Sequence, residues 1–419
     1  MSNVVTNSTI TPQSVSVDTL ESSNVKTSIK RGTREYRCAG LSLFLLGFAS
    51  FSLIYCVQPL LPAFANAFGI SPAQSSLALS LTTGLLALSI LLSGAFSQAL
   101  GRKGLMFASM VLASLCNIVA AVVPEWHQLL IARAVEGVVL GGVPAVAMAW
   151  LAEEIDPAHL GKTMGLYVGG TAFGAMMGRV GMGLITEFTS WRDAMWILGL
   201  LCLVSAIGFY LLLPASRNFQ RKPGLNAQFH LKTWGLHLSS PGLIRLYITG
   251  FFLTSIFVTL FNYATFRLAD APFHFNQTQI SLIFCAFAFG IVSSSVAGSL
   301  ADKVGKKPLL IVGFCLMLVG TFCTLPASLI GIIVGIILVT TGFFVSHSVA
   351  SGAVGPLAGM TRGHASSLYL LFYYMGSSIT GSMGGWFWQH GGWHAIVALT
   401  GGVAAAGIIL SLFAPKKVK

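Results

Sequence analysis

Apolar residues in this chain run in blocks of about 20, the length a helix needs to cross a hydrocarbon core roughly 30 Å thick. Residues 41–59, 74–96, 105–123 and 309–325 are examples. Inside lipid the backbone has no water to bond, so each block is expected to be a helix closed on its own hydrogen bonds. Only 9% of residues are charged and 55% are hydrophobic. A soluble surface needs about a quarter charged residues. The expected fold class is an all-α membrane protein with twelve transmembrane helices. They fall over 39–62, 75–97, 104–123, 128–150, 162–186, 193–214, 243–267, 277–300, 308–326, 328–348, 365–387 and 394–414.

In a soluble protein the net charge of +12 would suggest a nucleic-acid partner. Here its distribution gives another account. With the N-terminus inside, about 20 of the 24 Lys and Arg fall in cytoplasmic segments. Arg192 and Arg267 fall outside, and Arg133 and Arg179 lie within spans. Cytoplasmic loops of membrane proteins carry this excess, so both termini are expected in the cytoplasm. The lipid bilayer is then the partner, and the charge implies no nucleic acid. Residues 1–37 end in Lys30, Arg31, Arg34 and Arg37 and read as a disordered cytoplasmic tail. A secretory signal would carry its bases first. Residues 415–419 form a second, basic tail. The seven cysteines have no CxxC spacing and read as buried apolar residues.

Residues 215–241 break the apolar pattern and read as a cytoplasmic linker between six-helix halves at 38–214 and 242–414. Within the linker, "FHLKTWGLHL" has a weak amphipathic pattern for an interfacial helix. The halves repeat. "GAFSQALGRKG" and "GSLADKVGKKP" occupy the same loop of each half, with Gly94 and Gly298 204 residues apart. Gln58 and Asn262 share that offset. Trp191/Trp393, Tyr167/Tyr369 and Gly174/Gly376 are each 202 apart. Parallel six-helix repeats with substrate near the midplane between them are a transporter architecture.

The chain resembles the major facilitator superfamily over roughly residues 38–414. Gly94, Gln98, Gly101, Arg102 and Lys103, and in the second copy Gly298, Asp302, Gly305, Lys306 and Lys307, are similar to its cytoplasmic gate motif. "ARAVEGVVLGG" is similar to its fourth-span motif, with Arg133 at the arginine. "GLYVGGTAFGAMMGRVGMG" is similar to the fifth-span glycine pattern of its exporters. "LIYCVQPLLP" and "HASSLYLLFYYMGSSITG" further resemble the YnfM-type bacterial inner-membrane transporters of the 12-span drug:proton antiporter group. The resemblance implies a multi-pass inner-membrane protein that moves a small molecule by alternating access. It also implies protons as partner, the proton gradient as energy source and no cofactor. A monomer is expected.

Two departures stand out. Gln98 replaces the acid that Asp302 supplies in the second copy, so the first gate loop lacks one charge–dipole contact, about 0.3–1 kcal/mol. Arg179 follows Gly178 where the exporters carry a proline. An intramembrane arginine is costly unless paired or wet. Arg179 can bind an anionic or hydroxyl-rich substrate, answer to a proton carrier, or pair with Glu136. Glu136, the one acid in the interior of the expected spans, lies three residues from Arg133 and so on the same helix face. These two are the proton-coupling candidates, the resemblance pointing to Arg133 and the chemistry to Glu136; the alternative is a structural ion pair near the outer rim.

Gly170, Gly174 and Gly178 form a ridge that lets a helix, expected from the other half, pack close. In the superfamily the first and seventh spans line the cavity. That makes Gln58 and Asn262 substrate candidates, joined by Arg179, Tyr55, Tyr263, Phe372, Tyr373 and Tyr374. Packing and interhelical hydrogen bonding are the plainer roles for the same side chains. His347, read at the cytoplasmic end of the tenth span, is expected to cap or pack. Trp191, Trp386, Trp388 and Trp393 are expected in an interfacial belt.

The sequence carries no GxxxxGK[ST] loop, so direct ATP drive is not expected. It also shows no metal-ligand cluster and no enzymatic constellation. The expected function is proton-coupled efflux of a small molecule. The alternatives are a facilitator or exporter of a neutral metabolite such as a pentose, and a non-transporting scaffold or sensor. Arg179 would repel a cation and favours a neutral or anionic substrate.

Overall fold

The computed structural model describes residues 28–219 and 227–413; side chains of 94–100, 302 and 360 lie outside the description. The expectations for residues 1–27, for 220–226 of the linker and for 414–419 therefore fall outside it, as do the side chains of Gln98 and Asp302. The described chain is helical apart from loops and one isolated bridge. Among the described residues, ten helices are long and apolar enough to cross a membrane. Leu160–Phe188 is of similar length, but its glycines and Arg179 dilute its apolarity. Arg362–Leu412 turns at the non-helical Gly392 into two crossings. That accounts for twelve.

Local chemistry sets the helix starts. Ser71 and Asn276 each form a capping box, with Gln74 and Gln279 three residues on. Ser190 and Ser328 accept from the first turns of Trp191–Leu212 and Leu329–Ala358. The first crossing, Arg34–Phe68, loses its α-helical ladder after Tyr55 and resumes at Leu61. Pro59 and Pro62 remove two N–H donors there. The fourth crossing is interrupted in the same way before Pro144.

The repeat seen in sequence is a repeat of atomic contacts. Gly101 and Gly305 break the second-to-third and eighth-to-ninth turns at φ 89° and 88°, a backbone that side chains disfavour. Lys103 donates to the Leu213 carbonyl at 2.6 Å, and Lys307 to that of Leu412 at 2.5 Å. Each thereby puts a cation on the C-terminal end of the last helix of its half. Ser52 donates to the Gly174 carbonyl and Ser255 to that of Gly376. A Cβ at Gly174 would sit 2.2 Å from the Phe48 carbonyl, and one at Gly376 2.2 Å from that of Phe251.

Gly170, Gly174 and Gly178 therefore face Phe44, Phe48 and Ser52 of the first crossing. This corrects the expectation that the ridge serves the other half. Further along the same helix, Gly183 does meet the other half, at Ser281 and Gln277.

We call the side bearing Lys103 and Lys307 the basic face. Here the described part of the N-terminal tail is ordered, which corrects the disorder expected for residues 28–37. Ile29 forms a parallel bridge with Ile155, and Thr33 caps the first helix. Glu35 pairs with Arg217. Fully buried Glu154, an acid missed within the fourth crossing, accepts from the backbone N–H groups of Arg217 and Asn218. In the linker, Ala227–Leu238 is a helix, and its His230 and His237 bond His364 and Thr361.

Three smaller expectations are also revised. Trp393 is buried, donating to Thr324, and only Trp386 among the four belt candidates is exposed. Of the cysteines only Cys56 and Cys202 are buried, and all seven are free thiols. His347 lies well inside Leu329–Ala358, because that helix runs past the expected end; it bonds the Tyr369 hydroxyl at 3.0 Å.

Candidate functional site

Where the first helix stops at Tyr55, its last carbonyls lose their usual partners. Arg133 supplies them from the fourth crossing. Its Nη1 donates to Leu53 O at 3.1 Å and its Nη2 to Ile54 O at 2.9 Å. Its Nε reaches Ala78 O of the second crossing at 3.2 Å. Thr82 completes the join by donating to Arg133 O. Gly137 permits the approach, its Cβ position lying 2.2 Å from Thr82 O. Nη1 also donates to Glu136 Oε2 at 2.7 Å, and both side chains of this ion pair have no exposure. The pair is thus enclosed among three crossings of one half. Glu136 Oε1 is buried with no partner among the described residues.

The second buried arginine is organised differently. Arg179 bonds Gln58 Oε1 through Nε at 2.6 Å and the Ala175 carbonyl of its own helix through Nη1 at 2.5 Å. Its guanidinium lies 4.1 Å from the Tyr55 ring centroid, 4.8 Å from Phe287 and 5.2 Å from Phe284. Pairing with Glu136, one of the expected roles, does not occur, because Glu136 is already held by Arg133. Gln58 then donates through Nε2 to Asn262 Oδ1 at 2.7 Å, across the two halves. Asn262 Nδ2 is buried without a partner among the described residues.

This row of side chains lies at a seal. The seventh crossing is buried on all sides from Leu253 to Phe266. Gln58, Pro59, Leu60 and Leu61 are buried as well. Four more bonds join the halves on this side. Gln277 donates to Pro59 O and to Glu187, Ser281 to Val180 O, and Ser378 to Ser80 O at 2.7 Å. Toward the basic face, Phe48, Phe51, Phe251, Phe252, Phe344 and Tyr373 are only partly buried. The halves are closed on the face away from the basic loops.

Of the substrate candidates, the structure brings Tyr55, Gln58, Arg179 and Asn262 together. Tyr373 packs on His347 at 4.8 Å, with Tyr374 edge-on to it. Tyr263 and Phe372 stand apart. The Tyr263 hydroxyl donates to Gly381 O, and its ring stacks on Phe266 and Trp388. Phe372 stacks on Tyr247 in the apolar cluster near the basic face. Sequence reasoning missed Phe284 and Phe287. Their spacing of three in "IFCAFAFG" was the available signal, though it does not say which cation the rings face.

The comparisons with known proteins agree with this architecture. The chain is 43% identical over 370 residues to the inner membrane transport protein YnfM of Escherichia coli K12, covering 88% of each. It is 39% identical to the MFS-type transporter YybF of Bacillus subtilis 168, over 94% of this chain and 97% of that one. Among solved structures, a mutant form of the nucleoside transporter NupG superposes with a TM-score of 0.73 at 14% identity. That match covers 89% of this chain and 99% of NupG. The model of the Major Facilitator Superfamily matches residues 43–345 and 268–419. By sequence and by fold, this chain belongs to the Major Facilitator Superfamily of transporters.

Proposed function

We propose that this transporter exports a small molecule across the inner membrane in exchange for protons, with both termini in the cytoplasm. The observation that carries the reading is the row Arg179–Gln58–Asn262, which joins the two halves through three polar side chains at the seal. A contact of this kind suits alternating access: it must break for the sealed face to open, and its polar groups can be satisfied by substrate instead. Glu136 is the proton carrier in this scheme, with Oε1 as the atom that takes the proton. A neutral Glu136 leaves Arg133 with its three carbonyl partners, so the cation stays solvated by dipoles in either state. Arg133 thereby positions the carrier and reports its charge to the first and second crossings.

Inside-out vesicles with a respiration-made proton gradient and a pH-sensitive dye test this. A substrate that collapses the gradient only when the protein is present is the expected result. Glu136→Gln is expected to abolish proton-driven transport while leaving substrate exchange. Undiminished pumping by that variant refutes the carrier. Flux of substrate without any proton movement refutes the coupling.

A further inference from the structure

We propose that Arg179 is the receptor for a carboxylate-bearing substrate with a flat apolar body, and that its binding unfastens the Gln58–Asn262 clasp. The inference rests on the transporter reading and names the substrate class of the same site.

The first argument is charge. Arg179 is 1% exposed. The ion pairs among the described residues are Arg102–Glu153, Arg133–Glu136 and Arg217–Glu35. Arg179 therefore has neutral hydrogen-bond partners only, an amide oxygen and a backbone carbonyl. A buried cation without a counter-ion is a poor resting arrangement and a good one for receiving an anion.

The second argument is the donor inventory. A guanidinium carries five N–H groups in a planar fork. Nε and Nη1 are engaged, whereas Nη2 makes no hydrogen bond among the described residues. A carboxylate takes two parallel N–H bonds from one edge of such a fork. The Nε–Nη2 edge has one nitrogen open and one lent to Gln58. The third argument is shape. Tyr55, Phe284 and Phe287 surround the guanidinium, so the apolar body of a ligand held at that edge meets ring surfaces.

The consequence for gating follows from the same bonds. A carboxylate that completes the Nε–Nη2 edge displaces Gln58 Oε1. Gln58 then loses the charge-assisted bond that orients its amide toward Asn262 and polarises it. Asn262, with Nδ2 already unpartnered among the described residues, loses its remaining fixed contact with the first crossing. Binding at Arg179 is thus linked to loosening of the adjoining seal.

The test uses the full chain in nanodiscs with benzoate, cinnamate and phenylacetate, and their amides as uncharged controls. Thermal stabilisation reads binding, and hydrogen exchange over residues 55–64 and 259–266 reads the seal. At least one carboxylate is expected to stabilise the protein and raise exchange in both segments, while its amide does neither. Arg179→Lys keeps the charge but loses the planar fork and should weaken binding by about tenfold or more. Gln58→Leu should show raised exchange without ligand and still bind the carboxylate. Equal binding of acid and amide, no binding by any of the three acids, or unchanged affinity in Arg179→Lys overturns the anion site. Binding with unchanged exchange overturns the link to the seal. Labelled flux into proteoliposomes separates this from the transporter reading. Binding without flux sinks the transporter reading alone, and flux indifferent to Arg179 sinks the site alone.

Discussion

Replacing Arg133 with Met should be among the most damaging single changes in the protein. The Arg133–Glu136 pair has no exposure and is 2.7 Å long. Removing one member of a buried pair costs about 3–5 kcal/mol, because the other charge is left uncompensated. Arg133 also serves the carbonyls of Leu53, Ile54 and Ala78. Hydrogen bonds to a charged group are worth about 1.5–3 kcal/mol each, though not additively. The two contributions can be separated. The double variant Arg133→Met/Glu136→Leu loses the same carbonyl bonds but leaves no buried charge. Replacing both members of a buried pair by apolar residues is often neutral or stabilising relative to the intact pair, so the double variant should be more stable than Arg133→Met by at least the about 3–5 kcal/mol that the uncompensated charge costs. Unfolding by SDS titration in mixed micelles, run on wild type, both single variants and the double, completes the cycle. If the single costs simply add, the two side chains are not coupled, and the account of a shared buried pair is wrong.

Two further outcomes follow from the backbone. Gly174→Ala puts a Cβ at 2.2 Å from the Phe48 carbonyl and should destabilise by about 1–3 kcal/mol. Gly169→Ala, with nothing within 4 Å of its Cβ, should be neutral or slightly stabilising; equal thermal shifts for the two would contradict the packing. Gly101→Ala and Gly305→Ala place a side chain at positive φ and should each cost about 1–2 kcal/mol, with unchanged melting in both refuting the turn.

Much of the site was visible as residue types before it was visible as geometry. Gln58 and Asn262 stood out because polar side chains within apolar helices must find partners, and the repeat placed them at matching positions. That they bond each other across the seal depends on how the halves pack, which no offset between residues states. Arg179 stood out as a charge in lipid, but the expected pairing with Glu136 failed because Arg133 on the same helix reaches that carboxylate first. The glycine ridge was recognised and assigned to the wrong neighbour. Periodicity shows that a helix face is smooth, and it says nothing of which helix lies against it.

The sequence by itself determined the membrane, the helices and the two-fold repeat. Those follow from local requirements: backbone bonds closed within each helix, apolar side chains toward lipid, and glycine where φ turns positive at Gly101 and Gly305. Tertiary structure alone decided the partners of the buried charges. A guanidinium can be satisfied equally by a carboxylate, an amide or the end of a broken helix, and only proximity in three dimensions selects among them. Arg133 took a helix end and an acid, while Arg179 took an amide and three rings.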